Sequence, residues 1–335
     1  MVYRVGVVGC GAVAKAHAKS LAKLDNVTVV GFADIRPERS AEFAAEYGGN
    51  AYASLNELLE KEELDVLHIC TPHALHVPMA LKAAEKGINV FTEKPAAVNE
   101  EQMDALLEAA KKVKVGVCFQ NHYNDNSRYV EQELKSGQAG KILGARAFVT
   151  WKRLAPYYTE SGWRGTRELE CGGVLINQAI HTLDLLRSFI GDPKAVEAKT
   201  SNHHLKSVIE VEDTVEAYIQ FEDCAASFYA TTAYCQDAPI MLELICENKS
   251  YRIEGADLYI KEKDAPRFTA INFAEKEAFG KGYWGTGHLA CIRNYYASLS
   301  GEEEYLVTLP EVDKTMRLMF AIYRSAEENR PIELC

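Results

Sequence analysis

No two of the nine cysteines, spread from Cys10 to Cys335, stand in a CxxC pair. That spacing excludes a zinc ribbon, and an odd, scattered set makes no disulfide framework, so a reducing cytoplasm is the expected compartment. No apolar run reaches the ~18 residues that a membrane span requires, and Met1 to Val8 already read as a strand. Neither an anchor nor a signal peptide is expected. Basic residues are in short supply, with 37 Lys and Arg against 48 Asp and Glu and a net charge of -11. A nucleic-acid partner needs clustered cations and is excluded as the main ligand, whereas a dinucleotide held by backbone amides is not. There is no low-complexity tract and no internal repeat. His203 and His204 fall in a strand-like stretch without partners at metal spacing, so no metal is expected.

What is present is the composition of a soluble globular chain, 47% apolar and 25% charged, in 335 residues that suit two domains. Short apolar runs at Val5 to Val8, Val27 to Ala33, Val66 to Cys70, Ile88 to Phe91 and Val115 to Phe119 read as strands buried on both faces. Between them, Ala12 to Leu24, Pro37 to Tyr47, Val77 to Lys86 and Glu100 to Lys112 have helical spacing, and Ser54 with Glu57 forms a capping box. This predicts a doubly wound parallel sheet, a Rossmann domain over residues 1–120. Residues 121–335 change character. A helix at Asp125 to Ser136 precedes longer strands at Ile142 to Trp151, Val211 to Phe221, Ala225 to Tyr234, Met241 to Glu247 and Ser250 to Ile253. They predict an α/β domain with an open, mostly antiparallel sheet, packed by helices at Gly173 to Ile190, Thr286 to Ser298 and Glu311 to Glu327.

The first strand runs directly into Gly9-Cys10-Gly11-Ala12-Val13-Ala14, a GxGxxA turn opening a helix. The first glycine permits the tight turn, the second lets backbone approach a pyrophosphate, and Ala14 allows close helix packing. Phosphates would rest on the helix amino terminus. Asp34, ending the second strand, stands where an acid hydrogen-bonds the adenosine ribose, which favours NAD. Arg36 leaves NADP open as a pairing partner for a 2′-phosphate.

The segment Cys70-Thr71-Pro72-His73-Ala74-Leu75-His76, followed by Ala83, Gly87, Val90 and Glu93-Lys94-Pro95, resembles the Gfo/Idh/MocA family of oxidoreductases. Glu-Lys-Pro after the fifth strand is its most specific mark. The resemblance continues through Trp163-Arg164-Gly165, through Gly172 to Asp184, and into Gly285-Thr286-Gly287-His288. It implies a nicotinamide cofactor, hydride transfer to or from a carbohydrate-like carbon, and a homodimer or homotetramer formed through the open sheet. It also places Thr71, Pro72, His73 and His76 along the cofactor, with Glu93, Lys94 and Gln120 beside it.

Pro95 stops the strand and leaves Lys94 at the sheet's carboxyl edge, where ligands of α/β folds bind. An ammonium there can donate to a hydroxyl or a developing alkoxide, and the resemblance gives Lys94 that role, with Glu93 supporting it. Asn177 and His181, four apart in a helical stretch, share one face. His181 is the candidate general base, since histidine's ordinary pKa of about 6.5 suits removal of a hydroxyl proton. Asn177 departs from a common family pattern that has aspartate there; the amide orients substrate but cannot take a proton. Asp184 either orients the His181 ring or serves structure. His122 replaces an arginine of many relatives and reads equally as substrate ligand or linker. Trp163 and Arg164 either reach substrate or cofactor ribose, or pack between domains. Tyr283 and His288 flank a glycine-rich turn and line a pocket or simply form that turn.

The leading expectation is an NAD(P)-dependent dehydrogenase of a secondary alcohol on a sugar, amino sugar or cyclitol. A redox-neutral glycosidase or epimerase using tightly bound NAD is the alternative within enzymes, and a dinucleotide-dependent sensor the alternative outside them.

Overall fold

A computed structural model describes residues 2–274 and 285–334, which form two compact units: 2–123 with 285–312, and 124–274 with 313–334. Tyr283 lies outside the described residues.

The first unit alternates strand and helix: β1 (Tyr3–Val8), α1 (Ala14–Leu21), β2 (Val27–Ala33), α2 (Pro37–Tyr47), β3 (Asn50–Tyr52), α3 (Leu55–Lys61), β4 (Val66–Ile69), α4 (His76–Glu85), β5 (Asn89–Glu93), α5 (Glu100–Ala109) and β6 (Val115–Cys118). Every neighbouring strand pair is parallel, in the order β3-β2-β1-β4-β5-β6. The order reverses between β1 and β4, the place where dinucleotides bind in such sheets. β4 and β6 are buried along their whole length, as strands covered on both faces must be. Sequence-local capping sets helix starts: Ser54 Oγ accepts from the Glu57 N–H at 3.2 Å, and Asn99 Oδ1 accepts from the Gln102 N–H at 2.8 Å. The Glu57 carboxylate reaches back to the Ala53 N–H. β3 is an addition to the expected strands; its three residues are too short and too exposed to carry a pattern.

The second unit contains α6 (Asp125–Lys135), β7 (Ile142–Thr150), α7 (Ala155–Thr159), α8 (Ile180–Ile190), β8 (Ala195–Ser201), β9 (Thr214–Gln220), β10 (Ala225–Thr231), β11 (Met241–Cys246), β12 (Lys249–Glu254), β13 (Asp257–Glu262) and β14 (Thr269–Ile271). α9 (His288–Ser300) belongs to the first unit, packed on α1. That return departs from the reading of 121–335 as one domain, because a helix's periodicity does not say which sheet it covers. α10 (Leu309–Glu328) gives its residues from Asp313 on to the second unit, and β15 (Ile332–Glu333) closes its sheet.

The nine-stranded sheet runs β14-β13-β12-β11-β7-β10-β9-β8-β15. Only β7 with β10 is a parallel pair; the other pairs are antiparallel. His203 and His204 follow β8 in a turn rather than a strand, where the His204 N–H donates to Asp213. On one sheet face Ala147, Val149, Val215, Ile219, Phe228 and Leu244 are buried in the core.

The helical stretch expected from Gly173 instead begins as a π-helical turn over Leu175–Ala179 that runs into α8. Its entry is held by Glu212, whose carboxylate accepts the Gly173 N–H at 2.9 Å, the Leu175 N–H at 3.1 Å and the Tyr323 hydroxyl at 2.8 Å. A Cβ on Gly173 would lie 1.8 Å from the Glu212 carbonyl oxygen, so only glycine fits this approach. Gly173→Ala is therefore expected to destabilise the chain by about 1–3 kcal/mol or more, read from the denaturant midpoint. An unchanged midpoint would show that the turn can move aside.

Candidate active site

In the first unit the turn after β1 is shaped for a close backbone approach. Gly9 has φ 86 and donates its N–H to Ala33 O at 2.8 Å; a Cβ there would meet Cys70 O at 2.6 Å. A Cβ on Gly11 meets nothing within 4 Å, so that position faces open space. No side chain caps the start of α1 at Val13, which leaves first-turn amides for an anion. Ala14 is fully buried. The Asp34 carboxylate accepts the Cys10 N–H at 2.7 Å and the Arg36 N–H at 2.8 Å, so it is fixed at the end of β2. Burial pushes the Cys10 thiol up to about 12, with Asp34 adding to the effect, so it is not a nucleophile. Ala12 completes the turn. These residues fit the diphosphate and ribose of a dinucleotide.

Thr71 and Pro72 follow β4, Glu93 ends β5, and Gln120 and His122 lie in a short 3-10 turn after β6, all at the carboxyl edge. His76 is buried and takes a structural place: Nδ1 lies 2.8 Å from Pro95 O and Nε2 2.9 Å from Thr71 O, tying the loops after β4 and β5 together. His73 is buried beside it, with ring centroids 5.9 Å apart. Lys94 is half-buried and joined to Pro95 by a cis peptide.

Behind Lys94 runs a polar chain that the sequence reading did not find. His17 Nε2 is 2.9 Å from Glu93 Oε1, His17 Nδ1 is 2.9 Å from His68 Nδ1, and His68 Nε2 is 3.0 Å from the Tyr296 hydroxyl. One tautomer set satisfies every member: Tyr296 O–H donates to His68, His68 Nδ1–H to His17, and His17 Nε2–H to Glu93. Burial works to raise the Glu93 carboxyl, but the His17 hydrogen bond and the nearby His17, His288 and Lys94 outweigh it and hold the group below the usual range. Burial, with His17 nearby, keeps His68 well below ordinary histidine. His17 sits on the buried face of α1, where its spacing matches that of core residues, so no pattern distinguishes it.

His17, Glu93 and Cys118 bring their donor atoms within 4.8 Å of one another. Both His17 nitrogens are already hydrogen-bonded, and the Cys291 hydrogen bond and burial keep the Cys118 thiol protonated, so the cluster reads as a hydrogen-bonded core.

In the second unit, Asn177 lies in the π-helical turn and His181 one residue into α8. A π turn adds a residue to the helical circuit but keeps positions four apart on one side, and such turns recur at functional sites. Asp184 Oδ1 accepts from the Thr315 hydroxyl on α10 at 2.6 Å. Arg164 lies over the rings of Tyr157 and Trp163, at 4.6 and 4.8 Å from their centroids, inside its own loop. The unforeseen residue is Glu170. It is fully buried and accepts hydrogen bonds from the Gly165 N–H and from Asn177 Nδ2. Burial raises its carboxyl to about 7, against the pull of Gly165, Asn177 and Arg164. Nothing in the spacing of Glu168-Leu169-Glu170 singles it out.

A parallel sheet with this strand order, a glycine turn at its switch point and a fixed acid at the end of β2 defines a dinucleotide-binding oxidoreductase architecture. The profile described as "Oxidoreductase family, NAD-binding Rossmann fold" matches residues 3–122, and the GFO/IDH/MocA C-terminal domain matches residues 127–252. The chain belongs to the Gfo/Idh/MocA family. D-glucoside 3-dehydrogenase of Escherichia coli is 24% identical, with 99% of this chain and 97% of that protein covered. The 1,5-anhydro-D-fructose reductase of Ensifer adhaerens is 28% identical over 65% of this chain and 66% of its own length. The matches reach only 62% of oxidoreductase P35 of Formosa agariphila and 55% of the Thermotoga maritima myo-inositol 2-dehydrogenase. Among solved structures, the WlbA dehydrogenase of Bordetella pertussis in complex with NADH and UDP-GlcNAcA is 28% identical, with TM-score 0.87, covering 100% of this chain and 99% of that one.

His288 is buried near Glu93, His17 and Lys94, and burial pushes it down to about 4. A histidine whose folded pKa is depressed contributes stability that is present above its unfolded value and is lost as pH falls through the folded one. Unfolding free energy measured between about pH 6.5 and about pH 4 should therefore decline less steeply in His288→Leu than in the wild-type protein. Equal slopes would show that His288 binds its proton equally well in the folded and unfolded states.

Proposed function

We propose that the chain is an NAD-dependent dehydrogenase that oxidises a secondary alcohol on a sugar, amino sugar or cyclitol and reduces the matching ketone. The observation that carries this reading is the pairing of a dinucleotide turn and fixed Asp34 with a half-buried lysine at the end of β5. The names of the relatives, which act on glucosides, anhydrofructose and myo-inositol, support the substrate class. NAD, when bound, supplies the hydride acceptor. The Asp34 carboxylate accepts from the ribose hydroxyls and repels a 2′-phosphate, while the exposed Arg36 is the residue that could pair with one. Lys94 donates to the substrate oxygen and stabilises its developing negative charge. His181 takes the hydroxyl proton, Asn177 orients the hydroxyl, and Trp163 and Arg164 shape the substrate loop.

The outer face of the large sheet carries Phe148, Tyr218, Tyr229 and Ile245, opposite in alternation to the buried residues; Tyr218 is 54% exposed. We assign this stripe to contact with a second copy of the chain, and Tyr218→Glu should lower the oligomeric state seen by sedimentation.

The test is the appearance of NADH with a panel of myo-inositol, levoglucosan and methyl glucosides, and its consumption with 1,5-anhydro-D-fructose. Lys94→Ala and His181→Ala should each lower kcat by about 10²–10⁴-fold while the protein still binds NAD. Asp34→Ala should lose the preference for NAD over NADP. Retained activity in the first two variants would remove the proton-handling assignment. Turnover without added cofactor by protein that copurifies with NAD would instead establish the redox-neutral chemistry.

A further inference from the structure

The reading above leaves Glu170 without a role. This carboxylate is fully buried, one oxygen toward the Gly165 N–H and the other toward the Asn177 amide. The residue after it, Cys171, has φ 63, a left-handed backbone conformation that is costly for a residue with a side chain and tends to mark functional loops. Nothing in packing alone calls for an acid here, since an ionisable group out of water costs stability that an apolar residue of the same size would not.

A carboxyl group and a primary amide meet in two ways. An ionised carboxylate only accepts, so the NH2 of Asn177 must face it and the amide carbonyl is presented at the other end. A protonated carboxyl donates, so the better pairing rotates the amide by a half turn, puts Oδ1 against Glu170 and presents the NH2. The first presents an acceptor, which suits the hydroxyl of an alcohol. The second presents a donor, which suits the carbonyl of a ketone.

We propose that Glu170 and Asn177 form a proton-linked amide switch that matches the polarity of the substrate contact to the oxidation state of the substrate. Glu170 is a positioning residue in this scheme, since it touches Asn177 and not the substrate. The proposal rests on the reading that Asn177 faces the substrate. It concerns binding alone, and the hydride and hydroxyl proton travel as described above. The groups that bear on the Glu170 charge are Arg164, which favours the ionised form, and Glu212, which opposes it; Tyr158, Tyr323 and Cys171 also lie within its field. Burial raises the carboxyl to about 7, so both forms are populated near neutrality. Alcohol binding then strengthens as pH rises through that value, and ketone binding strengthens as it falls.

The experiment is a pH titration of protein labelled with ¹⁵N-asparagine, following the side-chain NH2 resonance of Asn177, identified by its loss in Asn177→Ala. In the wild-type protein this resonance should shift with a midpoint near neutrality, and in Glu170→Gln it should not move. In the same two proteins, KM for an alcohol of the panel should rise by up to about tenfold per pH unit below the midpoint, while KM for 1,5-anhydro-D-fructose falls. Both trends should flatten in Glu170→Gln, with kcat largely kept. An Asn177 resonance indifferent to pH in the wild-type protein overturns the switch, as does an equal shift in Glu170→Gln or a parallel drift of both KM values. A panel with no turnover refutes the dehydrogenase reading, and the amide titration then decides the switch by itself.

Discussion

A carboxylate taken out of water has to be met by fixed donors, and the way each buried acid of this chain is met determines the local structure around it. Glu212 meets the requirement with the amides of Gly173 and Leu175 and the Tyr323 hydroxyl, and in doing so it fixes the Gly172–Gly173 turn and the start of the helix bearing Asn177 and His181. If that carboxylate lost its donors, the turn would lose its reason to close. Glu93 solves the same problem in the first unit with an imidazole, backed by a second imidazole and a tyrosine hydroxyl. The His17 hydrogen bond, with His17, His288 and Lys94 nearby, holds its carboxyl below the usual range. Glu170 accepts from a backbone amide and a side-chain amide, and burial raises its carboxyl to about 7. Burial raises the carboxyls of Glu212 and Glu170, whereas at Glu93 the His17 hydrogen bond and the charges nearby outweigh it.

The first unit shows how little side-chain chemistry the dinucleotide arrangement requires. Gly9, Gly11 and the uncapped start of α1 offer shape and backbone amides. Asp34 is the charged member, pinned by two N–H groups so that it cannot swing away from the end of β2. His76 then ties the Thr71 and Pro95 carbonyls, so the loops after β4 and β5 hold a common position. The position of Lys94 is braced by these contacts and by Glu93 next to it, itself hydrogen-bonded to His17.

Most of this first unit was legible in the sequence, because strands buried on both faces are continuous apolar runs and the glycine turn has a fixed spacing. β3 escaped because three exposed residues carry no period. The second unit was legible as alternating strands, but neither the parallel pairing of β7 with β10 nor the return of α9 to the first unit could be read, since both depend on partners far away in the chain. Among the site residues, those in motifs with a backbone reason, such as Gly9, Asp34, Lys94 and the Asn177–His181 spacing, stood out. The bracing by His76 was not legible, because a histidine that bonds two carbonyls looks the same in sequence as one that faces a ligand. His17 and Glu170 were invisible for the converse reason: their importance lies in a hydrogen bond to a residue at no fixed sequence distance, 76 positions for His17 with Glu93 and seven for Glu170 with Asn177.

Asn177, where a common family pattern has aspartate, looks at first like a loss of proton-handling capacity. The geometry weakens that impression. The acid is absent from the helix but present one layer below, in hydrogen-bond contact with the amide that replaced it. Arg164 lies over the rings of Tyr157 and Trp163 and contributes its positive field to Glu170. A guanidinium held over two aromatic faces keeps its charge while giving up freedom to reach outward. Its effect on the chemistry then runs through the carboxyl: strengthening that field would favour the ionised form, and removing it would favour the acid. On this geometry the loop that bears Arg164 also supplies a charge that bears on how readily Glu170 holds a proton.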